Sequence, residues 1–524
     1  MGRLFSFLLF MINQKLSNFE IIKKYGMAIL LFFTVLETIF FFSFENILGC
    51  AIFIYAWYIW SKIVFLKKNF DKCFLPTLGI TGYIFCYYFL PLVATFLEGK
   101  PLTHNFQVAN LTFFNMFLNV TTIFIAYKLC LNTYKRGNVI ERLWETIGFF
   151  KVPTEKQVWI FGIVGCALLI NIVFSGSYYS DYEDIQIGQN LSFVISNVFI
   201  TYAAMPICLY FTALYGYNKP LKYKKYIIPF IIIMSLIGVA ATKRSLIFNS
   251  LATIVIIYLF IIVYNNRKIF TLKNIVITFF VTFLLTGPAA DLALAMILNR
   301  MNSSGGTKTF DQVIELYQDK DKMEALHSVQ KMITSNNGDN RLSWSEDYVD
   351  NIFLSRFCNI RVLDASVFYA KELGYDNPQM HKYFKEEIIN RLPSFIVALL
   401  GEKKVVHTTV ADEMNNRYFN GGRNFWAGWK VSGDIGVGLY TFGYKYYPIA
   451  LIIYFLVFSL LSTYTKFYNG KVIIPVTILC GFYLKFVYFD NAYGIYSSIA
   501  ELLRGWVNVI VYCAVFKIIR ICVK

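Results

Sequence analysis

Charged residues are scarce in this sequence. Asp, Glu, Lys and Arg make up 15% of the 524 residues, whereas 57% are apolar and 19% are aromatic. Soluble globular domains carry about 25% charged residues, so this composition excludes a soluble fold. The apolar residues also recur in runs of about 20, the length that crosses a bilayer as a helix. The sequence therefore predicts a membrane protein with many spans.

Motifs for nucleotides, catalytic metals or a serine nucleophile are also missing. No P-loop, GxGxxG, HExxH or GxSxG motif stands in a usable context, which excludes most energy-coupled and hydrolytic enzymes. The ten cysteines lie mainly in apolar runs without paired spacing, so neither a disulfide framework nor a metal site is expected. Asp319-Lys320-Asp321 matches a DxD metal motif only formally, because its charged, helical surroundings favour a solvated surface. We expect no cofactor and no metal, and hence a substrate that is already activated.

Apolar runs between polar breaks predict about twelve transmembrane helices. They form an all-α bundle, with about nine spans in residues 25–299 and about three in residues 447–524. The predicted spans are 25–44, 47–66, 74–96, 108–130, 158–174, 191–215, 226–241, 246–264, 275–298, 447–464, 472–489 and 499–515.

Basic residues collect in every second connection between these spans. The connection 175–190, by contrast, has three acidic residues and no Lys or Arg. The positive-inside rule places the basic connections and both termini in the cytoplasm, with residues 1–24 as a cytoplasmic or interfacial segment. The net charge of +17 then reflects topology, and no nucleic-acid partner is expected. The basic connections and termini carry Lys15, Lys23 and Lys24; Lys67, Lys68 and Lys72; Lys135, Arg136, Arg142, Lys151 and Lys156; Lys219, Lys222, Lys224 and Lys225; Arg267, Lys268 and Lys273; Lys466 and Lys471; and Lys517, Arg520 and Lys524.

One connection, residues 300–446, is close to a domain in size and falls on the extracytoplasmic side. Thr309 and Gln312 form a capping-box pattern before an apolar stripe, which predicts a helix. A second helix is expected over 347–373, and Asn377-Pro378 predicts the start of a third. The Gly- and aromatic-rich segment 420–443 is typical of an irregular, ligand-facing chain. We therefore expect a large helical loop that carries the function.

Lys243 and Arg244 break the charge pattern. They stand in the short connection between the seventh and eighth predicted spans, on the side where the rule expects few cations. A lipid diphosphate at the outer leaflet would explain them, because guanidinium binds phosphate oxygens bidentately and Lys adds a point charge. Snorkelling of both side chains to lipid headgroups is an equal alternative.

Further charges lie near the ends of the last two predicted spans. Charges in spans usually face a cavity or one another, and the i,i+3 spacing of Glu501 and Arg504 predicts an ion pair. Together with Lys485 and Asp490 they indicate a polar cavity beneath the large loop. The candidate acids and bases of the loop are His407, Asp412, Glu413 and Asp434.

Several short segments, taken in order, resemble a known family. They are Thr242-Lys243-Arg244-Ser245 before an apolar span, Arg391-Leu392-Pro393 followed by Gly401-Glu402-Lys403-Lys404, Arg417 with Gly428 after ten further residues, and Gly433-Asp434-Ile435-Gly436 through Phe442-Gly443. In these segments and in architecture the chain resembles the Wzy-type polymerases of O-antigen, capsule and exopolysaccharide repeat units, relatives of the O-antigen ligases. It departs from the ligases in lacking a secure match to their loop histidine at His407. It departs from the commoner polymerase pattern where Gly443-Tyr444-Lys445 replaces a Gly-rich continuation.

The resemblance implies a metal-independent glycosyltransferase of the GT-C kind in a bacterial cytoplasmic membrane. It would join undecaprenyl-diphosphate-linked oligosaccharides outside the membrane, with lipids, a flippase and chain-length regulators as partners. The leaving diphosphate needs cations, and the incoming sugar hydroxyl needs a proton acceptor. The residues expected in these roles are Arg244 and Lys243, aided by Arg356, Arg417 and Arg423, for the diphosphate; Asp434 first and His407 second for the proton; and Trp426 and Tyr440 for stacking on sugars.

Two other functions stay open. A flippase or transporter of lipid-linked oligosaccharides predicts two similar halves, matching broken helices and short loops, whereas this sequence shows one domain-sized loop and no evident internal repeat. An O-antigen ligase-like transferase is the second alternative.

Overall fold

The structure is a computed structural model that describes most of the chain. The described residues are 16–174, 191–241, 244–288, 291–292, 294–296, 307–319, 321–324, 348–351, 354–358, 360–405, 410, 413–414, 417–418, 433–489 and 494–523. His407, Lys243, Arg423 and Trp426 lie outside them, and Arg244 and Arg356 are described by their backbone only.

The first half of the chain is helical. Polar side chains start several of these helices by accepting a backbone N–H of the first turn, as Ser17, Ser43, Asn138 and Thr271 do. A π-helical turn, Trp60–Val64, extends the second helix, and a 3₁₀ segment, Met205–Leu214, follows the ninth. In chain order the helices are α1 (Asn18–Phe40), α2 (Phe44–Ile59), α3 (Lys67–Lys72), α4 (Phe74–Tyr88), α5 (Leu90–Leu97), α6 (Ala109–Thr133), α7 (Val139–Ile147), α8 (Glu155–Phe174), α9 (Leu191–Thr201), α10 (Ile227–Ala240), α11 (Arg244–Tyr264) and α12 (Leu272–Thr286).

The second half contains the helices of the large loop and the last helices of the bundle. The loop helices are α13 (Thr307–Gln318), α14 (Leu354–Cys358), α15 (Ile360–Leu373), α16 (Pro378–Arg391) and α17 (Ser394–Leu399). The bundle continues with α18 (Asp434–Phe442), α19 (Tyr446–Ser462), α20 (Val476–Cys480), α21 (Phe482–Phe486), α22 (Gly494–Ala500) and α23 (Trp506–Cys522). Two short antiparallel strands, β1 (Lys466–Tyr468) and β2 (Lys471–Ile473), form a hairpin after α19.

Six described helices are long and apolar enough to cross a membrane. A seventh span results if Ile195–Thr201 and Met205–Leu214, bent by 63°, are counted as one. The all-α membrane fold is therefore confirmed, while twelve spans and a GT-C arrangement stay predictions. The six helices are Phe44–Val64, Phe74–Leu97, Ala109–Thr133, Glu155–Val173, Asp434–Ser462 and Ile495–Cys522.

Four helices predicted from the sequence differ from those in the structure. The predicted span 191–215 is divided into α9 and the 3₁₀ segment Met205–Leu214, with a bend of 63° between them. The predicted span 275–298 is interrupted where α12 ends at Thr286. The predicted span 472–489 is not one helix, because the chain forms β2 and then the short helices α20 and α21, which meet at Gly481. The predicted loop helix 347–373 begins later, at Leu354, after a non-helical stretch at 348–351.

The helix predicted from Asn377-Pro378 is present as α16 and is capped by Asn377. The helix predicted from the capping box is present as α13, but it begins at Thr307, so Thr309 lies inside the helix and does not cap it.

The basic connections converge on one end of the bundle. Asn18 Nδ2 donates to the carbonyl of Arg267 at 2.6 Å, which joins the start of α1 to the turn after α11. Arg136 Nη2 donates to the carbonyl of Asp71 at 2.6 Å, and the Tyr264 hydroxyl donates to the Asp71 carboxylate at 2.5 Å. We call this the basic end; its assignment to the cytoplasm follows from the positive-inside rule and stays a prediction. Other bonds at this end join Lys222 to Glu155, Ile474 to Leu214 and Gln157 to Val523.

The remaining connections meet the large loop at the opposite end, which we call the loop end. The buried carboxylate of Glu37, near the end of α1, accepts the backbone N–H of Leu102 at 2.6 Å. The Tyr348 hydroxyl donates to the carbonyl of Leu102 at 2.8 Å, and Lys100 lies 2.6 Å from Asp350. The segment 98–108, which follows α5, is thereby fixed to both α1 and the large loop.

Glycines allow several helices to approach closely. A Cβ on Gly82 of α4 would overlap the carbonyl of Phe486, and one on Gly26 of α1 would overlap the Trp57 ring. In a membrane, such small residues provide van der Waals packing between helices where the hydrophobic effect is weak. These contacts join α1 to α2 and α4 to α21.

Replacing Gly82 by alanine is expected to destabilise the bundle strongly, because the backbone of Phe486 is held by its own helix and cannot move aside cheaply. We expect a loss of about 1–3 kcal/mol in the free energy of unfolding, visible as a lower Tm and less monodisperse protein in size-exclusion chromatography. Gly481→Ala is the matched control, since only the Thr477 carbonyl comes within 4.0 Å of its Cβ position. Equal Tm values for Gly82→Ala and wild type would contradict this packing.

Glu501 pairs with a different cation from the one predicted. Its carboxylate lies 3.3 Å from Lys485, a residue of α21, and both side chains are largely buried. The predicted partner, Arg504, follows in a π-helical turn, Glu501–Gly505, whose wider spacing changes the relation of residues three apart. The pair joins the end of α21 to the last helix of the bundle.

Candidate functional site

The candidate site lies at the loop end, where α15 packs against α18. A Cβ on Gly433 would overlap Leu363 and Ser366, and a Cβ on Gly436 would overlap Ser366. The backbone N–H of Gly433 also donates to the Ser366 hydroxyl at 3.2 Å. These glycines, predicted to belong to a ligand-facing segment, serve the contact between two helices.

Asp434, the predicted proton acceptor, is the first residue of α18. One carboxylate oxygen accepts the hydroxyls of Tyr446 at 2.5 Å and Tyr454 at 2.8 Å. The other oxygen accepts the backbone N–H of Ile495, in the first turn of α22, at 2.8 Å. Carboxylates at helix N-termini are stabilised by the helix dipole. Asp434 thus joins α18, α19 and α22 through the hydrogen bonds of its carboxyl group.

The space beside Asp434 is very small. The adjoining cavity measures about 10 Å³ and is lined by Tyr83, Asn119, Leu363 and Phe489, among others. A single water needs roughly 10–15 Å³, so this conformation has no room for a sugar at Asp434. The carboxylate is enclosed by its hydrogen-bond donors and holds them in position, whereas a general base is expected to face an open site.

A second carboxylate, Asp364 of α15, is fully buried and was not singled out in the sequence. It accepts the backbone N–H groups of Gln107 at 2.7 Å and Val108 at 3.1 Å, and the Thr112 hydroxyl at 2.8 Å. The buried guanidinium of Arg361 lies 3.4 Å away. Burial raises the pKa of Asp364, whereas Arg361 and the hydrogen bonds lower it. Asp364 therefore anchors the large loop to the start of α6, a membrane span.

A polar cleft opens beside this anchor. It has a volume of about 660 Å³, within the roughly 300–1,000 Å³ typical of small-molecule sites. The Gln107 side-chain amide is buried there, and its oxygen and nitrogen have no hydrogen-bond partner within the described part of the chain. The hydroxyl, amide, carboxylate and ammonium groups among its lining residues suit a hydroxyl-rich ligand. Its polar lining residues are Ser43, Glu45, Thr103, Asn105, Gln107, Asn110 and Lys371.

His104 lies in the same segment, 98–108. Burial lowers its pKa to about 4, and the cations Lys100 and Arg361 contribute, while Asp350 opposes them. The imidazole is therefore neutral at pH 7, and its buried Nε2 has no partner among the described residues. An isolated histidine between threonine and asparagine gave no signal in the sequence, because its environment is created by the large loop.

The predicted phosphate ligands are only partly described. Arg244 begins α11, whose other end, at Tyr264, is at the basic end; its backbone therefore lies toward the loop end. Arg417 contacts the Glu413 carboxylate in an i,i+4 ion pair, so part of its charge is already neutralised. Arg356 lies in α14, and its side chain is outside the described residues, as are Lys243 and Arg423.

Of the residues predicted to stack on sugars, the structure describes only Tyr440. Tyr440 is fully buried in α18, and its hydroxyl has no hydrogen-bond partner within the described ranges. Its ring presents no face to a sugar in this conformation. Trp426 and the second predicted base, His407, lie outside the described residues. Among the residues that are described, no group of three or more His, Cys, Asp or Glu could hold a metal.

Comparison with known proteins finds no match for this chain. The chain matches no family model, no curated protein and no solved structure.

Proposed function

We propose that this protein is a membrane glycosyltransferase that polymerises undecaprenyl-diphosphate-linked oligosaccharide repeat units at its loop end. The observation that carries the proposal is the polar cleft of about 660 Å³, which lies at the end of the bundle opposite the basic connections. A sugar chain presented outside the membrane would meet this end first. The resemblance of short segments to the Wzy-type polymerases supports the same reaction.

The reaction forms one glycosidic bond and breaks one phosphate ester bond. The acceptor hydroxyl oxygen attacks the anomeric carbon of the donor, and the bond from that carbon to the diphosphate oxygen breaks. The hydroxyl proton passes to a base, and undecaprenyl diphosphate leaves with both electrons of the broken bond. No external energy source is needed, because the diphosphate leaving group already activates the sugar.

The proposed roles follow from charge and position. Arg244 and Lys243 would neutralise the leaving diphosphate, with Arg356 and Arg423 in support; Arg417 would contribute less because Glu413 already pairs with it. His407, the second proton acceptor predicted from the sequence, would take the proton of the acceptor hydroxyl. Asp434 would hold α18, α19 and α22 in place. The cleft around Gln107 would receive the sugar chain.

Gene deletion with complementation tests the proposal. In the host bacterium, wild type should restore long surface polysaccharide, whereas the deletion strain should carry single repeat units. Arg244→Ala is expected to reduce long chains by a factor of about 10²–10³, the typical effect of removing one group that stabilises transition-state charge. Gel electrophoresis of the extracted surface glycan measures this.

Lys219→Ala is the control, because Lys219 is an exposed cation at the basic end. If repeat units accumulated on the cytoplasmic side of the membrane in the deletion strain, the protein would be a flippase and not a polymerase. Normal polymer length but no attachment to its final acceptor would indicate the ligase-like alternative. Full-length chains from Arg244→Ala would show that Arg244 does not belong to the active site.

A further inference from the structure

A large apolar crevice lies in the half of the bundle next to the basic end. Its volume is about 1080 Å³, and it is bounded by α1, α2, α4, α11 and α12. Most of its lining is aromatic or aliphatic, as shown by Phe19, Trp57, Phe85, Leu259, Phe270 and Ile277. The volume lies at the upper end of the roughly 300–1,000 Å³ of ordinary small-molecule sites, and the apolar lining suits a ligand with long hydrocarbon chains.

The helix α12 forms the outer wall of this crevice and is apolar on both faces. Its residues Ile277 and Thr278 line the crevice, whereas Val276, Phe279 and Phe280 are more than half exposed. A helix that is apolar all round is buried in protein or in lipid. We therefore expect α12 to stand in the bilayer, with hydrocarbon on its outer face and in the crevice behind it.

The mouth of the crevice is positively charged. Lys273 lines it, with its ammonium 5.9 Å from the Tyr258 ring. Arg267 and Lys268 are exposed in the adjacent turn, and the sequence has no acidic residue from 251 to 290. Within the described part of the chain, none of these three cations lies within 4 Å of a carboxylate, unlike Lys23, which pairs with Glu20 at 2.9 Å. The unpaired charge favours an anionic ligand.

We propose that this crevice binds one anionic glycerophospholipid. Its acyl chains lie between α1 and α12, and its phosphate contacts Lys273 and the turn holding Arg267 and Lys268. The apolar lining of the crevice would contact the acyl chains, and the cations would attract the negative charge of the headgroup. The site is separate from the polar cleft, which is at the other end of the bundle, so the inference does not depend on the proposed function.

Lipid titration of the purified full-length protein tests this site. After delipidation in mild detergent, native mass spectrometry measures binding of phosphatidylglycerol and of phosphatidylethanolamine with identical chains. We expect phosphatidylglycerol to bind about tenfold more tightly. The double variant Lys268→Glu with Lys273→Glu should lose this preference, and Ile277→Trp, which fills the crevice, should weaken both lipids.

Lys219→Glu with Lys224→Glu is the matched control, because both lysines are exposed at the basic end outside the crevice. Size-exclusion profiles and Tm values establish that each variant is folded before titration. Equal binding of the two phospholipids, or the same loss in the control pair, would overturn the proposal. Tighter binding of undecaprenyl phosphate, abolished by Ile277→Trp, would also overturn it and assign the crevice to a polyprenyl chain.

Discussion

Replacing Asp434 by asparagine is expected to lower the stability of the protein and abolish polymer formation together. The carboxylate accepts two tyrosine hydroxyls and one backbone N–H. Asparagine turns an N–H group toward at least one of these donors, which leaves that donor unsatisfied. A buried unsatisfied donor costs about 1–3 kcal/mol, and weakening of the remaining bonds adds to it.

Thermal unfolding in detergent and the surface glycan gel measure the two effects of Asp434→Asn. Tyr454→Phe, which removes one donor and leaves the carboxylate satisfied by two others, should lower the Tm less. Asp311→Asn is the control, because Asp311 is an exposed residue of α13. A normal Tm with no polymer would show that Asp434 is the proton acceptor that the sequence predicted, and would contradict its positioning role.

Replacing Asp364 by asparagine is expected to be at least as damaging to stability. Asp364 satisfies three donors at the start of α6 and lies beside the fully buried Arg361. Removing one partner of a buried charge pair costs about 3–5 kcal/mol, because the other charge loses its compensation. We therefore expect a large fall in Tm, with a lower yield of folded protein.

The double variant Asp364→Asn with Arg361→Met separates charge from packing. It should recover part of the stability, because methionine removes the buried cation and keeps much of the side-chain volume. Asp376→Asn serves as the control: Asp376 forms exposed pairs with Lys445 and His381, and we expect little change in Tm. No recovery in the double variant would indicate that the hydrogen bonds to α6, and not the charge balance, carry the effect.

The parts of the fold that depend on local signals could be predicted from the sequence. Long apolar runs predicted a helical membrane protein, and Asn377-Pro378 predicted the start of α16. The apolar stripe after Thr309 predicted α13, although that helix begins at Thr307. The alternation of basic and non-basic connections along the sequence predicted that the basic ones lie on one side of the membrane. In the structure these connections do meet at one end of the bundle. Each of these signals is contained within a few residues or in the composition of one segment.

The parts that depend on contacts between distant segments could not be predicted. Asp364 is close to Gln107 only because α15 docks on the segment before α6, across more than 250 positions of sequence. Gly433 and Gly436 are typical of an irregular loop until Leu363 and Ser366 are placed beside them. The break within 472–489 shows no periodicity signal, because strand and short-helix residues there are as apolar as a span.

The most direct test of the proposed function is polymerisation by the purified protein. Lipid-linked single repeat units, extracted from the deletion strain, would be added to proteoliposomes that contain the wild-type chain, without nucleotide or nucleotide sugar. We predict a ladder of longer saccharides with release of undecaprenyl diphosphate, and no ladder with Arg244→Ala. Folded protein that leaves the single units unchanged would contradict the proposed function.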